Sequence, residues 1–182
     1  MVTLDTVYWK FGYASEAAQL LETELINALT EYDMKQGGDI ASLKKQFLEM
    51  DKYTLGKLNY ALKSRMVGDA DTLEHVSDAL KARNYLAHEF YRKHADGKFT
   101  PEGRQRMLAD LKNIHQIIFE AYRKVLQLSD IDIPPLEHDL ILHALDALDA
   151  LVCMPHSLFS YSSAVSVGMV LTDSYICIKT AP

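Results

Sequence analysis

Apolar residues recur at every third or fourth position through most of this 182-residue chain. The pattern is most regular after Thr100, where the steps alternate between four and three. The residues concerned are Met107, Leu111, Ile114, Ile118, Ala121, Val125 and Leu128. Such spacing places the apolar side chains on one side of a helix and is typical of helical bundles. No stretch before residue 160 alternates as a half-buried strand would. We therefore predict an all-α fold, an antiparallel bundle of four to five main helices.

Capping residues and helix breakers divide the first part of the chain into helices. The first helix is predicted from about 15 to 32, and Gly37-Gly38 follows it as a break. Asp39 and Thr54 are suitable N-caps for two shorter helices. The predicted inward side chains of the helix after Asp39 are Ile40, Leu43, Phe47 and Leu48.

A long helix is predicted from about 71 to 93. Its apolar stripe consists of Leu73, Val76, Leu80, Ala87 and Phe90. Thr100, Pro101 and Glu102 then form a favourable N-cap, first position and acidic first turn for the next helix. A last helix is expected after Pro134-Pro135.

The chain divides into a predicted bundle over 1–152 and a C-terminal extension over 153–182. No charged residue occurs between Asp149 and Asp173, but Pro155 and Gly168 interrupt this stretch, so it is a poor membrane span. Three interpretations stay open for the extension. It could form a β-hairpin from about 164 to 178, it could bind a partner, or it could be a poorly ordered segment.

The net charge of −6 argues against a protein that coats nucleic acid, yet the charge is unevenly distributed. Residues 81–128 hold 10 Lys and Arg against 5 Asp and Glu, whereas both flanking parts are acidic. A polyanion would be drawn to the middle part. The N-terminal residues do not follow the signal-peptide pattern, and Cys153 and Cys177 lie outside any metal-binding cluster. We expect a cytoplasmic protein without a cofactor.

Three polar residues lie beside the apolar stripe of the predicted 71–93 helix. At about 100° per residue, Arg83 falls on one side of the stripe, and Asn84 and His88 fall on the other. A stripe that served packing alone would have apolar residues there, because burying a guanidinium or imidazole is costly unless the group is paired.

The run from Arg83 to His88, Arg-Asn-Tyr-Leu-Ala-His, resembles the motif of the HEPN superfamily, set late in a long helix and followed by a capped helix. The resemblance covers roughly residues 11–128. It implies a metal-independent endoribonuclease in which Arg83, Asn84 and His88 are catalytic and a homodimer brings two copies of the site together. Many members of that superfamily are toxins or phage-defence effectors.

The resemblance also suggests partners. RNA is the implied substrate, and an antitoxin or a partner nucleotidyltransferase would silence the enzyme. In toxins silenced by a nucleotidyltransferase, a tyrosine two residues after the histidine accepts the nucleotide. Here that position is Phe90, and Tyr91 follows it, so this mode of silencing is in doubt.

Five basic residues near the motif are candidates for RNA phosphate contacts: Arg92, Lys93, Lys98, Arg104 and Arg106. Three alternatives stay open. Arg83 and His88 could belong to a structural network, with Arg83 paired to Glu89 or Glu120. The chain could be a non-catalytic helical dimer that binds a nucleotide, RNA or protein. His138 and His143, with Asp139, could bind a metal, although this pattern is usually a solvated helix face.

Overall fold

The computed structural model describes residues 2–65 and 67–136, and these form an all-α bundle, as predicted. The helices are α1 (Leu4–Lys35), α2 (Ile40–Met50), α3 (Leu55–Arg65), α4 (Ala70–His88), α5 (Phe90–Lys93), a short 3-10 helix (Gly97–Phe99) and α6 (Pro101–Gln127). Within these described ranges no residue is in a β-strand. The helix predicted after Pro134-Pro135, the hairpin and the boundary at 152 lie outside the described residues.

Side-chain caps fix where several helices begin. Thr3, Asp39, Asp69 and Thr100 each accept a hydrogen bond from the backbone N–H three residues later, at 2.8–3.1 Å. Each cap satisfies an N–H that the helix itself leaves without a partner. The predictions for Asp39 and Thr100 are therefore confirmed.

The core lies where α6 packs against α1 and α4. Of the residues predicted for the inner side of α6, Leu128 is partly buried and the other six are buried. Helix α1 begins at Leu4, well before the predicted start near residue 15. Its extra turns bury Val7, Lys10 and Ala14. The lysine in this inward row interrupts the apolar pattern, which explains why periodicity missed the beginning of the helix.

The inward side of α2 was predicted only in part. Leu43 is buried as predicted, and Met50 is buried with it, whereas Ile40, Phe47 and Leu48 are exposed. Hydrophobic side chains are common on protein surfaces, so the most apolar side of a short helix need not face the core.

The predicted 71–93 helix consists of two helices, because Glu89 interrupts it with φ −120° and ψ −29°. The core face of α4 is formed by Thr72, Val76, Ala79, Ala82 and Leu86, and the buried ring of Phe90 follows in α5. Leu73 and Leu80 are only partly buried, and Ala87 is exposed. The predicted stripe therefore combined two faces of the helix. The true core face is rich in alanine, which a hydrophobicity pattern ranks below leucine.

Gly103 brings the 3-10 helix against the first turn of α6. A Cβ at this position would meet the carbonyl oxygen of Gly97 at a distance that no side chain tolerates. The close approach therefore requires glycine at position 103.

Candidate functional site

The predicted catalytic residues occupy the C-terminal half of α4. Arg83 follows the buried Ala82 and is partly buried at the edge of the core face. Asn84 and His88 are exposed and lie one helical turn apart on the outward side. The structure thus places Asn84 and His88 together. Among the described residues, no hydrogen bond connects Arg83 to His88 within one chain.

Arg83 is held by a carboxylate from another helix. Its Nη2 lies 3.5 Å from Glu22 Oε1, and its Nη1 lies 3.4 Å from Asn84 Oδ1. The side chains of Arg83 and Glu22 are 30% and 25% exposed, so neither is fully removed from water. The sequence had suggested Glu89 or Glu120 as structural partners, and the observed partner is Glu22.

Glu22 has a second contact, which links three helices. The same oxygen, Oε1, accepts a hydrogen bond of 3.2 Å from the backbone N–H of Leu55, the first residue of α3. The sequence had predicted Thr54 as the cap of this helix, and the carboxylate of Glu22 serves its first N–H. Arg83 is therefore part of a junction between α1, α3 and α4.

An outer stripe on α4 and α5 runs between Arg83 and His88. It consists of Leu73, Leu80, Ala87 and Tyr91. Leu73 and Leu80 are partly buried, Ala87 is exposed, and Tyr91 is 43% exposed. Three residues of the predicted stripe, Leu73, Leu80 and Ala87, lie here, whereas Val76 and Phe90 lie in the core of the same chain. The exposed end of this row at Ala87 and Tyr91, bordered by polar groups, is a candidate contact surface.

The predicted RNA-binding residues differ in their exposure and in the contacts that they already make within the chain. Arg92, Lys93, Lys98 and Arg106 are exposed. Arg92 donates from Nε to the carbonyl of His88 at 2.7 Å, which satisfies an acceptor at the end of α4. Lys93 lies 3.2 Å from a carboxylate oxygen of Glu89 and 4.5 Å from the ring centroid of Tyr85.

Arg104 is a structural clamp in this fold. It is partly buried, and its guanidinium donates to the carbonyls of Val2 and Lys98 at 2.9 and 3.1 Å. These bonds attach the chain before α1 and the middle of the 3-10 helix to α6. Its geometry suits this role better than a phosphate contact.

A polar network that sequence reasoning missed lies between α4, α5 and α6. Tyr85 Oη donates to Asp110 Oδ2 at 2.8 Å, and His94 Nε2 lies 2.9 Å from the same oxygen. Desolvation, with the Asp110 hydrogen bond second, raises the pKa of Tyr85 to about 12. The His94 ring also packs on Phe90, with ring centroids 4.8 Å apart. A loop separates the partners in the sequence, so helical spacing gave no signal of this contact.

A second unpredicted polar contact lies in the core between α1 and α6. Lys10 Nζ is 2.6 Å from His115 Nδ1, and both residues are buried. Burial, with Lys112 as a smaller cause, lowers the pKa of Lys10 to about 8. This pair belongs to helix packing and lies apart from the outer stripe.

The described ranges, 2–65 and 67–136, contain no group of three or more His, Cys, Asp or Glu side chains placed to hold a metal ion. The candidate set of His138, Asp139 and His143 lies outside them. None of the helices in these ranges is long and apolar enough to cross a membrane.

Comparison with known proteins gave no match: no family model, curated protein or solved structure is significantly similar to this chain.

Proposed function

We propose that this protein is a metal-independent endoribonuclease of HEPN type, with a composite site formed at a homodimer interface. The observation that supports it best is the placement of Arg83, Asn84 and His88. Asn84 and His88 are accessible on the outward side of one helix end, and Arg83 is held beside them by Glu22. A phosphate brought to the outer stripe could meet an imidazole, an amide and a guanidinium.

The chemistry requires these groups. RNA cleavage by its own 2′-hydroxyl needs a base that removes the hydroxyl proton and an acid that protonates the leaving 5′-oxygen. It also needs a cation that stabilises the charge on the phosphorane. His88 supplies a proton acceptor or donor, Arg83 supplies the cation, and Asn84 orients the phosphate or the guanidinium.

Dimerisation would supply both the base and the acid that the reaction needs. One chain contributes one copy of His88, whereas base and acid are two roles. A two-fold contact through the outer stripe would bring two copies of His88 and Arg83 to one scissile phosphate. The exposure of Ala87 in this stripe supports the proposal, since a small residue allows a second helix to approach closely.

The biological setting we propose is a toxin or phage-defence effector in the cytoplasm, silenced by an antitoxin. Nucleotide transfer to the position two residues after His88 has no chemical basis here. Phe90 has no hydroxyl, and its ring is completely buried. Tyr91 has an exposed fraction of 43% and contacts the rings of Phe11 and Phe90.

A second candidate function is a non-catalytic helical dimer that binds a nucleotide, RNA or partner protein. The contact between Arg83 and Glu22 favours it, because Glu22 also caps α3 and gives the arginine a structural reason to be present. In this hypothesis the surface around Arg83 and His88 binds its ligand but does not cleave RNA.

The decisive experiment is incubation of the purified protein with total RNA in the presence of a chelator. If the protein is the proposed enzyme, the wild type should cleave RNA, and Arg83→Ala and His88→Ala should not. Circular dichroism should show that both variants are folded. His75→Ala is the matched control, because His75 lies on the same helix away from the motif. If the wild type binds RNA without cutting it, the hypothesis of a non-catalytic binding protein replaces the hypothesis of an enzyme.

A further inference from the structure

The outward side of α1 near its beginning has an open groove of about 440 Å³. We call it the aromatic groove, and the residues that line it are Asp5, Tyr8, Trp9, Gly12, Tyr13 and Glu16. These residues follow one another at helical spacing, so they lie along one side of the helix. Trp9 and Tyr8 are 54% and 50% exposed, and the Trp9 and Tyr13 rings lie 6.4 Å apart. Accessible large aromatic side chains that cluster in this way indicate an interaction surface.

Gly12 keeps the middle of the aromatic groove open. Glycine destabilises the interior of a helix relative to alanine, so a glycine there usually has a packing or backbone reason. Gly103 has such a reason, whereas nothing lies within 4 Å of where a Cβ on Gly12 would be. Gly12 also lacks the positive φ of Gly37 and Gly68. The fold therefore does not require glycine at position 12, and the space that it leaves is available to a ligand.

The charge of the aromatic groove selects a cation. Asp5 and Glu16 are exposed at its two ends, and within the described residues neither carboxylate is paired with Lys or Arg. Burial, with the Glu16 carboxylate as the second cause, raises the pKa of the Tyr13 hydroxyl. The faces of the aromatic rings between the carboxylates also attract cations. RNA and anionic lipid are disfavoured here, because their phosphates would meet carboxylates without a neighbouring cation.

We propose that the aromatic groove binds an extended segment of a partner protein that has an arginine at each end of a short apolar run. Arginine suits this surface better than lysine, because its planar guanidinium stacks on aromatic rings and pairs with a carboxylate through two N–H groups. Tryptophan, tyrosine and arginine are also the side chains that contribute most to binding at interfaces. The inference goes beyond the proposed endoribonuclease and does not rest on it.

The separation of the two carboxylates sets the spacing of the arginines. Asp5 and Glu16 are 11 residues apart on one helix, which corresponds to about 16 Å along its axis. An extended peptide advances about 3.3 Å per residue, so arginines five residues apart would reach both ends. No two of the six arginines of this chain have that spacing. The partner is therefore a different protein rather than a second copy.

A blocked peptide, Arg-Leu-Ala-Leu-Ala-Arg, is the probe that tests the proposal. Its binding at low salt can be followed through the emission of Trp9, the only tryptophan of the sequence. The titration should saturate, and Asp5→Asn/Glu16→Gln should weaken binding by about fivefold or more. Glu49→Gln/Asp51→Asn removes the same charge at exposed positions outside α1 and should leave the affinity unchanged.

Gly12→Leu tests the shape of the aromatic groove with little risk to the fold. Leucine has a higher helix propensity than glycine, and its Cβ would enter open space. Its side chain should occupy the groove and weaken binding of the peptide by about fivefold or more. Gly12→Ala is the matched control, because it adds a single methyl group and should keep the affinity within about twofold. Circular dichroism shows whether the variants are folded.

Peptides of the same length complete the test. The peptide with lysine for both arginines should bind less tightly, and the peptide with glutamate should not bind. The proposal is overturned if the arginine peptide does not bind, if the glutamate peptide binds equally well, or if all folded groove variants bind as tightly as the wild type. Emission that changes on concentrating the protein, while the arginine peptide does not bind, would assign the groove to a second copy. These titrations contain no RNA, so their outcome is independent of the proposed cleavage activity.

Discussion

Arg83 illustrates how one side chain can be read in two ways. Its sequence position suggests a catalytic group, whereas its contact with Glu22 makes it part of the junction between α1, α3 and α4. The two roles are compatible, because a guanidinium has five N–H donors and can hold a phosphate while one side is paired. A catalytic cation in fact benefits from being held in place.

The junction gives a prediction for Glu22. Glu22→Ala should lower the free energy of unfolding by about 1–2 kcal/mol, because it removes the acceptor of the Leu55 N–H and the partner of Arg83. Urea unfolding followed by far-UV circular dichroism measures this. Glu24→Ala, on the same helix, is the control and should change the free energy by less than about 0.5 kcal/mol. Equal effects of the two variants would mean that the junction contributes nothing specific.

The pKa of Lys10 predicts that the free energy of unfolding changes with pH in the alkaline range. Its pKa is about 8 in the folded protein, below the ordinary value of 10.5. Between these values the unfolded state binds more protons, so the free energy of unfolding should rise with pH from 8 towards 10. Tyr85 acts in the opposite direction above pH 10, because its pKa rises from 10.0 to about 12 in the folded state. The effect of Lys10 on the free energy of unfolding should therefore be measured below about pH 10, where Tyr85 does not oppose it.

Substitution tests this assignment. Lys10→Met should flatten the rise in the urea midpoint between pH 8 and pH 10, whereas Lys63→Met, at an exposed position of α3, should leave it intact. An unchanged rise in Lys10→Met would show that other groups cause it.

At the scale of helices, sequence periodicity was most successful where the core face was also the most apolar face. The inner row of α6 follows from the spacing of its apolar residues, and the Thr100 cap follows from the residue types at the start of the helix. In α4 the rule failed, because Ala79 and Ala82 face the core while Leu73 and Leu80 lie at its edge. The break at Glu89 added an error, since a constant angle per residue cannot be extended through it.

The candidate site was predictable to a similar degree. Helical spacing placed Asn84 and His88 on one side of α4, since both lie on the same continuous helix. The partners of Arg83 and His94 come from other helices. Glu22 is 61 residues from Arg83, and Asp110 is 16 residues from His94. Contacts of this kind depend on tertiary packing and leave no periodic signal in a single sequence.

The outer stripe on α4 gives a prediction about assembly. Ala87→Glu places a carboxylate in the middle of the proposed contact and should convert the dimer to a monomer, because an unpaired buried charge is costly. Light scattering coupled to size exclusion measures this. Ala109→Glu, at an exposed position of α6, is the matched control. A dimer that persists in Ala87→Glu would place the contact elsewhere.

For the whole molecule, the proposed mechanism fixes how rate depends on pH. If one His88 acts as base and its symmetry mate as acid, one imidazole must be neutral and the other protonated. The cleavage rate should then follow a bell-shaped curve, because it falls when both imidazoles are neutral and when both are protonated. Initial rates on a short RNA across the neutral range measure it. A rate that rises steadily with pH would argue against the paired histidines.

The same mechanism determines the products. Attack by the 2′-hydroxyl leaves a 2′,3′-cyclic phosphate and a free 5′-hydroxyl, and it requires a ribose at the cleaved position. A DNA oligonucleotide with one ribose should be cut after that ribose, while the all-DNA control stays intact. Mass spectrometry identifies the ends. Products with 5′-phosphates, or activity restored by magnesium after chelation, would reject this role for His88.

The position of Trp9 has a practical consequence for spectroscopy. It is the only tryptophan in the sequence, and it lies on the outer face of α1 with about half of its surface exposed. Tryptophan emission from this protein therefore reports on the surroundings of that face and only weakly on the core. A shift of emission to shorter wavelength on concentrating the protein would signal association, whereas an unfolding experiment followed by emission alone would underestimate the loss of the bundle.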